Sequence, residues 1–472
     1  MRLTERKLEN RVNEMSALRY RDAFSIEPWK LARRGDQLPT REVGIGKMWP
    51  GLADSTGRRP PRDLELANIA RLDSNADDLY FTAKAVLEAI SVLPAGGPVK
   101  LRLLALLDRA MLAIDWRDPG QAVFYHSLTQ ARAILDQGLA CEAKTSSVTV
   151  TALGHSHIDV AWLWCIRHAR QKAVRTFTTV LRLMEQYPKC VFLQSQPQLY
   201  EYVKHDRPDL YAKIQRRVQE GRWEVDGAMW LEADTNLASE EALVRQILVG
   251  TRFLEQEFGR SCSVLRLPDV FGYSGALPQI LKQSGIDTIL TAKITWKQDN
   301  RMPHDTFRWR GIDGSEVAAH VLTIPLPNHW NDEQGWMSTY RVISAQTVVG
   351  AWQRYRDQAL NQDLLLAFGY GNGGGGPTRE MLEMRRLGRV PDLPRVRTAG
   401  RRIRPWSTSE AGGKAGCRNH LGRRTVFGVP SRHRDQSGVG QAHESQARAR
   451  PARGAMGAVR GIDRDGCGDY GR

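Results

Sequence analysis

Apolar side chains recur at Leu8, Val12, Met15 and Leu18 in the first twenty residues, a spacing of three and four that puts them nearly on one helix face. A capping-box pattern from Ser74 to Asp77 opens a second helix that runs to about residue 93. Pro98 opens a third, ending near Trp116, and residues 119–141 read as a fourth. Between the first and second helices, residues 31–66 are rich in Arg, Gly and Pro and read as loop, long for a connection inside a compact domain.

From residue 147 the period changes. Short apolar runs at 147–154, 190–196, 222–230, 263–272, 287–293, 316–324 and 364–372 alternate with long amphipathic stretches such as 242–258. This alternation predicts an α/β fold with a mostly parallel sheet and helices outside, its seven strands closing into a (β/α) barrel-like body. The polar clusters fall where strands end, at Gly154, Gln196, Trp230 and Asp269. Those ends are expected to converge, because α/β folds build their sites at the C-terminal ends of strands.

After residue 400 the pattern stops. Leu, Ile, Val and Phe make up 8 of the last 72 residues, against 13 glycines. That is too little apolar surface for a core of its own. The Arg/Gly/Ala/Pro bias of this stretch is that of a GC-rich gene read out of frame, preferred to a disordered basic tail. The chain thus divides into an N-terminal helix and irregular remnant (1–66), a helical region (67–145), an α/β domain (146–400) and a basic tail (401–472).

That division changes the meaning of the net charge of +16. The last 72 residues hold 15 basic and 6 acidic side chains, so more than half of the excess lies there. No RNA- or DNA-binding motif accompanies it, so nucleic acid is not an expected partner. No apolar run is long enough for a transmembrane helix, and the first residues, MRLTERKLENRVNEM, lack the apolar stretch of a secretory signal. The six cysteines are far apart and show no zinc-knuckle spacing. They read as free thiols, and a cytoplasmic location is expected.

The densest chemistry is GHSHIDVAWLW, Gly154 to Trp164. In extended backbone, residues two apart share a face, so His155, His157 and Asp159 are expected to point the same way. Two imidazoles and a carboxylate at a strand end suit a divalent metal, zinc first; the alternative is a polar turn. Asp269, in RLPDVFGYSGALPQIL, also ends an apolar run, as nucleophile, base, ligand or simple Asx turn. In WEVDGAMWLEADTNL, Trp223 and Trp230 interleave with Glu232, Asp234 and Asn236, a mixture suited to sugars or to a tryptophan core with surface acids. The glycines of FGYGNGGGGPTREM lack the spacing of a nucleotide loop and are instead expected to let the backbone approach a ligand closely.

Taken together, HSHIDVAWLW, WxExDTNL, LPDVFGYSGALPQILKQSGID and FGYGNGGGGPTREML resemble glycoside hydrolase family 38, the zinc-dependent retaining α-mannosidases, over roughly residues 70–400. The similarity is greatest to the cytosolic and bacterial branch. It implies hydrolysis of terminal α-mannose from oligosaccharides or glycans. It also implies that His157 and Asp159 are zinc ligands, that Asp269 is both nucleophile and ligand, and that Trp162 lies at the base of the mannose subsite. Trp230 and Asp234 are the remaining expected substrate contacts.

Three departures qualify the resemblance. Asn372 stands where many relatives carry Asp near the general acid, and an amide donates no catalytic proton, so the acid is unassigned. The relatives' fourth zinc ligand, a downstream His, has no match; His433 and His443 lie in the tail. The relatives also continue for hundreds of residues. The chain is therefore expected to lack the C-terminal half of such an enzyme, to bind zinc more weakly and to turn over slowly. Competing readings are a non-catalytic remnant, a metal-dependent amidohydrolase, which needs more His and Lys ligands at later strand ends, and a basic nucleic-acid-binding protein.

Overall fold

The apolar stripe of the first helix, α1 (Glu5–Leu18), is the face it buries: Leu8, Val12 and Met15 are fully covered. The computed structural model describes residues 4–26, 43–44, 67–296, 302–323, 342–371, 374–399 and 420–421. Apart from Val43–Gly44 and His420–Leu421, the irregular segment 31–66 and the tail 401–472 lie outside those residues.

Three more helices, α2 (Ser74–Val92), α3 (Pro98–Leu112) and α4 (Ala122–Cys141), pack with α1 into one cluster. The N-cap of α2 is Asp73, whose carboxylate accepts from the Ala76 N–H at 3.0 Å, one residue before the Ser74 that the spacing indicated. Helix α3 stops at Leu112 rather than near Trp116; the indole N–H of Trp116 turns back to the Met111 carbonyl at 3.0 Å. A strand precedes α2 where helix was expected. β1 (Tyr20–Ile26) and β2 (Val43–Gly44) both pair antiparallel with β3 (Ala67–Leu72).

All seven apolar runs contain strands: β4 (Thr149–His155), β5 (Phe192–Leu193), β6 (Trp223–Glu224), β7 (Val264–Leu267), β8 (Thr288–Thr291), β10 (Glu316–Val321) and β11 (Asp363–Phe368). They form two parallel ladders, β11–β4–β5–β6 and β7–β8–β10. β9 (Thr306–Arg310) lies antiparallel on β10 and pairs in turn with β13 (His420–Leu421). The architecture is mixed α/β with parallel sheets.

Among the described residues the ladders do not join into one closed seven-stranded ring, although beyond β6 the Gly227 carbonyl accepts from the Arg266 N–H at 3.4 Å. Between β6 and β7 the Asp226 carboxylate, not a strand carbonyl, accepts from the Val264 N–H at 3.4 Å, and Arg266 Nε donates to the Asp226 carbonyl at 3.0 Å. On the other side Ala292, Leu322 and Ala367 meet through apolar contact. β5 is short because β12 (Arg395–Thr398) takes the first half of the β4 edge, Thr149–Ala152, leaving Gly154–His155 for β5. Leu153, Leu193, Leu290, Leu322 and Leu365 fill the space between the sheets, leaving a cavity of only about 10 Å³. The interior is a packed core, so chemistry is confined to the strand ends.

Candidate metal centre

The strand-end segment Ser156–Asp159 is held from three sides. Gln194 and Gln196, two residues apart after β5, donate to the carbonyls of Ser156 at 2.8 Å and Ile158 at 3.2 Å. From β11, the Ser156 hydroxyl reaches the Tyr370 carbonyl at 3.0 Å. Trp164 donates its indole N–H to the Asp159 carbonyl at 3.1 Å. The glycines after β11 serve this packing. Gly369 has φ +135° and sits so close to β4 that a Cβ would meet the His155 carbonyl at 2.1 Å. Gly375 donates to Thr176 of α5 (Ile166–Gln186) at 2.9 Å. These glycines bring the backbone close to the β4 end and to α5. Asn372 lies outside the described residues.

One ligand atom each from His157, Asp159 and Asp269 lie within 4.8 Å of one another. His157 Nε2 is 3.0 Å from Asp159 Oδ1 and 3.6 Å from Asp269 Oδ2. Its Nδ1 faces Glu232 Oε1 at 3.2 Å. Burial opposes a charge on His157, yet the carboxylates of Glu232, Asp159 and Asp269 outweigh it and hold the imidazolium well above the usual histidine range. Lys293, at the end of β8, pairs through Nζ with Asp269 Oδ1 at 2.9 Å, and burial pulls its ammonium below the ordinary value despite that partner. Burial likewise raises Glu232 above the usual carboxylate range, with His157 offsetting part of it.

One imidazole nitrogen and two carboxylate oxygens match a divalent first-row metal, and zinc takes this donor set. The residues fit a metal ion.

His155 is the exception to the shared face. β4 ends at His155, whose side chain lines the interior with Leu153 and Leu193, one layer below the ligand cluster. Burial, and then the charges of His157 and Arg266, push its imidazole well below the usual value. Two-residue alternation held as far as the strand did, and put His155 in the core.

Trp162 presents an exposed ring, 61% accessible, stacked edge-on against Trp164, on a loop where Ala161 has φ 150°. Phe271 and Tyr370, on the other segments that build the site, are also half exposed. Trp230 and Asp234 are engaged elsewhere. The Trp230 indole donates to Gln198 at 2.9 Å and packs edge-on against Phe253. The Asp234 carboxylate accepts from the Asn236 and Leu237 N–H groups at 2.8 and 3.1 Å. Both brace their own loop.

Sequence reasoning missed Lys293, Gln194, Gln196 and Trp164. Lys293 had a signal, a lone cation closing the apolar run DTILTAK. The glutamines show only as QSQ at a strand end, and their targets are carbonyls distant in sequence.

Residues 147–400 match the model of the glycosyl hydrolases family 38 N-terminal domain. The chain belongs to this family. Alpha-mannosidase 2C1 of Homo sapiens is 39% identical over 286 residues, covering 60% of this chain and 26% of its own length. Alpha-mannosidase of Saccharomyces cerevisiae is 33% identical over 362 residues, covering 73% of this chain and 32% of its own. This family member thus spans between a quarter and a third of the length of those two relatives. The crystal structure of an alpha-mannosidase from Enterococcus faecalis V583 aligns at 17% identity over 58% of this chain and 30% of that one, with a TM-score of 0.46. No helix among the described residues is long and apolar enough to cross a membrane.

Proposed function

We propose that this chain carries the catalytic domain of an α-mannosidase, a zinc-dependent retaining glycoside hydrolase acting on terminal α-mannose of oligosaccharides and glycans. The observation that carries the reading is the meeting of His157, Asp159 and Asp269 at the strand ends of a domain that matches family 38. A cytoplasmic location is part of the proposal, in keeping with the free thiols of Cys141, Cys165, Cys190 and Cys262.

Zinc held by His157, Asp159 and Asp269 would supply a fixed positive charge that orients sugar hydroxyls and offsets charge in the oxocarbenium-like transition state. The chain's own residues do the rest. Lys293 grips one oxygen of Asp269 and so sets the carboxylate's orientation. Asp269 attacks the anomeric carbon; a C–O bond forms to the carboxylate while the glycosidic C–O bond breaks, its electron pair going to the leaving oxygen, which takes its proton from solvent water, no side chain being assigned as acid. Water then displaces Asp269 from the same carbon and loses a proton, and two inversions give net retention. The exposed ring of Trp162 offers an apolar platform for a sugar face.

The test is hydrolysis of an aryl α-mannoside with added zinc, the product anomer followed by proton NMR. The first-formed product is expected to be α-mannose. Asp269→Asn is expected to lower turnover by on the order of 10⁶-fold, the scale on which losing a nucleophile acts in a serine protease. Equal rates in the two proteins would remove Asp269 from the mechanism, and β-mannose as first product would replace retention by inversion.

A further inference from the structure

We propose that Glu232 is a positioning residue that fixes which nitrogen of His157 faces the metal. This rests on the metal-centre reading above.

Glu232 leaves the loop after β6 with its side chain only 8% exposed. Its Oε1 lies 3.2 Å from His157 Nδ1, on the side of the ring opposite Asp159 and Asp269. An imidazole that ligates through Nε2 carries its remaining proton on Nδ1, and that proton needs an acceptor. Glu232 is the acceptor the geometry supplies.

Glu232 is itself held in place. Gln196 Nε2 donates to its Oε1 at 3.3 Å and to the Ile158 carbonyl at 3.2 Å. The preceding loop is pinned to α8 (Glu240–Phe258) by Gln246, whose side-chain oxygen accepts from the Leu231 N–H at 2.8 Å. Oε2 of Glu232 is buried and makes no hydrogen bond among the described residues. An amide here has two poor choices. Its NH₂ either meets the Nδ1–H of His157 or occupies the Oε2 position as a buried donor without an acceptor. The site is shaped for a carboxylate.

The experiment compares the full chain with Glu232→Gln and, as a milder cut, Gln196→Leu, which removes a support of Glu232 without touching a ligand. Zinc affinity is measured by competition with a chromophoric chelator. Folding of the zinc-free proteins is followed by circular dichroism, and the ring nitrogens of His157 by ¹⁵N NMR in the zinc-free and zinc-loaded states. Glu232→Gln is expected to fold, to lose about 10–100-fold in zinc affinity and to shift the His157 Nδ1 resonance. Gln196→Leu is expected to lose several-fold; because it also frees the Ile158 carbonyl, its deciding readout is a shifted His157 Nδ1 resonance rather than the affinity, and that readout serves if Glu232→Gln does not fold. Wild-type zinc affinity and an unmoved Nδ1 resonance in the variants would overturn this inference while leaving the metal centre standing. A wild-type chain that binds no zinc would overturn both.

Discussion

The helical cluster and the strand-end site bury different things. Helices α2 to α4 cover Leu79, Ile90, Leu103, Leu107, Phe124 and Leu128, each essentially inaccessible, and their stability is a matter of filled volume. The strand ends bury Ser156, His157, Gln194, Ser195 and Gln196. There, order comes from donors matched to acceptors, and a lost partner leaves a buried polar group behind. The first kind of core sets how stable the protein is; the second sets where three ligand side chains meet.

The largest separation between the two regions is expected from Leu107→Ala. It leaves a cavity within the helical cluster and should lower unfolding free energy by about 2–5 kcal/mol. Zinc affinity of the folded fraction should stay at the wild-type value. Chemical denaturation and a chelator titration on one sample measure both, and a matching fall in zinc affinity would show that the regions are coupled.

Gly250→Ala probes the boundary between them. A Cβ on this residue of α8 would meet the Ala228 carbonyl at 2.1 Å and the Trp230 nitrogen at 2.7 Å, in the loop that delivers Glu232. Overpacking of this kind costs about 1–3 kcal/mol. Here zinc affinity is expected to fall together with stability, because the displaced loop carries a partner of His157. Stability lost with affinity unchanged would separate the loop from the site.

The smallest effect concerns pH. His320 on β10 is partly buried and its imidazole is held down at about 4, with desolvation the main cause and Asp357 opposing it. An ordinary histidine titrates near 6.5, so the unfolded chain takes up this proton first. The contribution of His320 is therefore complete above about pH 6.5, declines as pH falls toward about 4, and is flat below that. His320→Gln should flatten the stability profile of the whole chain in that window and leave the neutral side unchanged. A profile that keeps its slope would assign the acid sensitivity to other groups.

Much of the fold was legible because it depends on local period. The stripe of Leu8, Val12 and Met15, the helix start at Pro98 and the seven apolar runs each follow from side-chain spacing alone. The interruption between β6 and β7 was not legible, since Asp226 substitutes for a strand carbonyl only once Val264 lies beside it. Nor was the division of the β4 edge between β5 and β12, two segments about two hundred residues apart. At the site, His157, Asp159 and Asp269 were readable as polar residues at strand ends. His155 was read as their equal because alternation assigns a face and says nothing of depth. Trp230 and Asp234 were read as sugar contacts because aromatic and acidic residues in one loop suit both a ligand and the loop's own bracing. The bracing runs through Gln198, Phe253, Asn236 and Leu237, partners that the sequence alone does not name.

The central claim is that Asp269, gripped by Lys293 and facing His157, is the nucleophile of an α-mannosidase site. The most direct measurement is to incubate the zinc-loaded chain with a 5-fluoro-mannosyl fluoride, which forms the covalent intermediate faster than it breaks down, and to map the labelled peptide by mass spectrometry. The account predicts one fluoromannosyl group, carried by Asp269 and absent when Asp269→Asn is treated in the same way. A label on another carboxylate, or turnover of an aryl α-mannoside with no label at all, would contradict it.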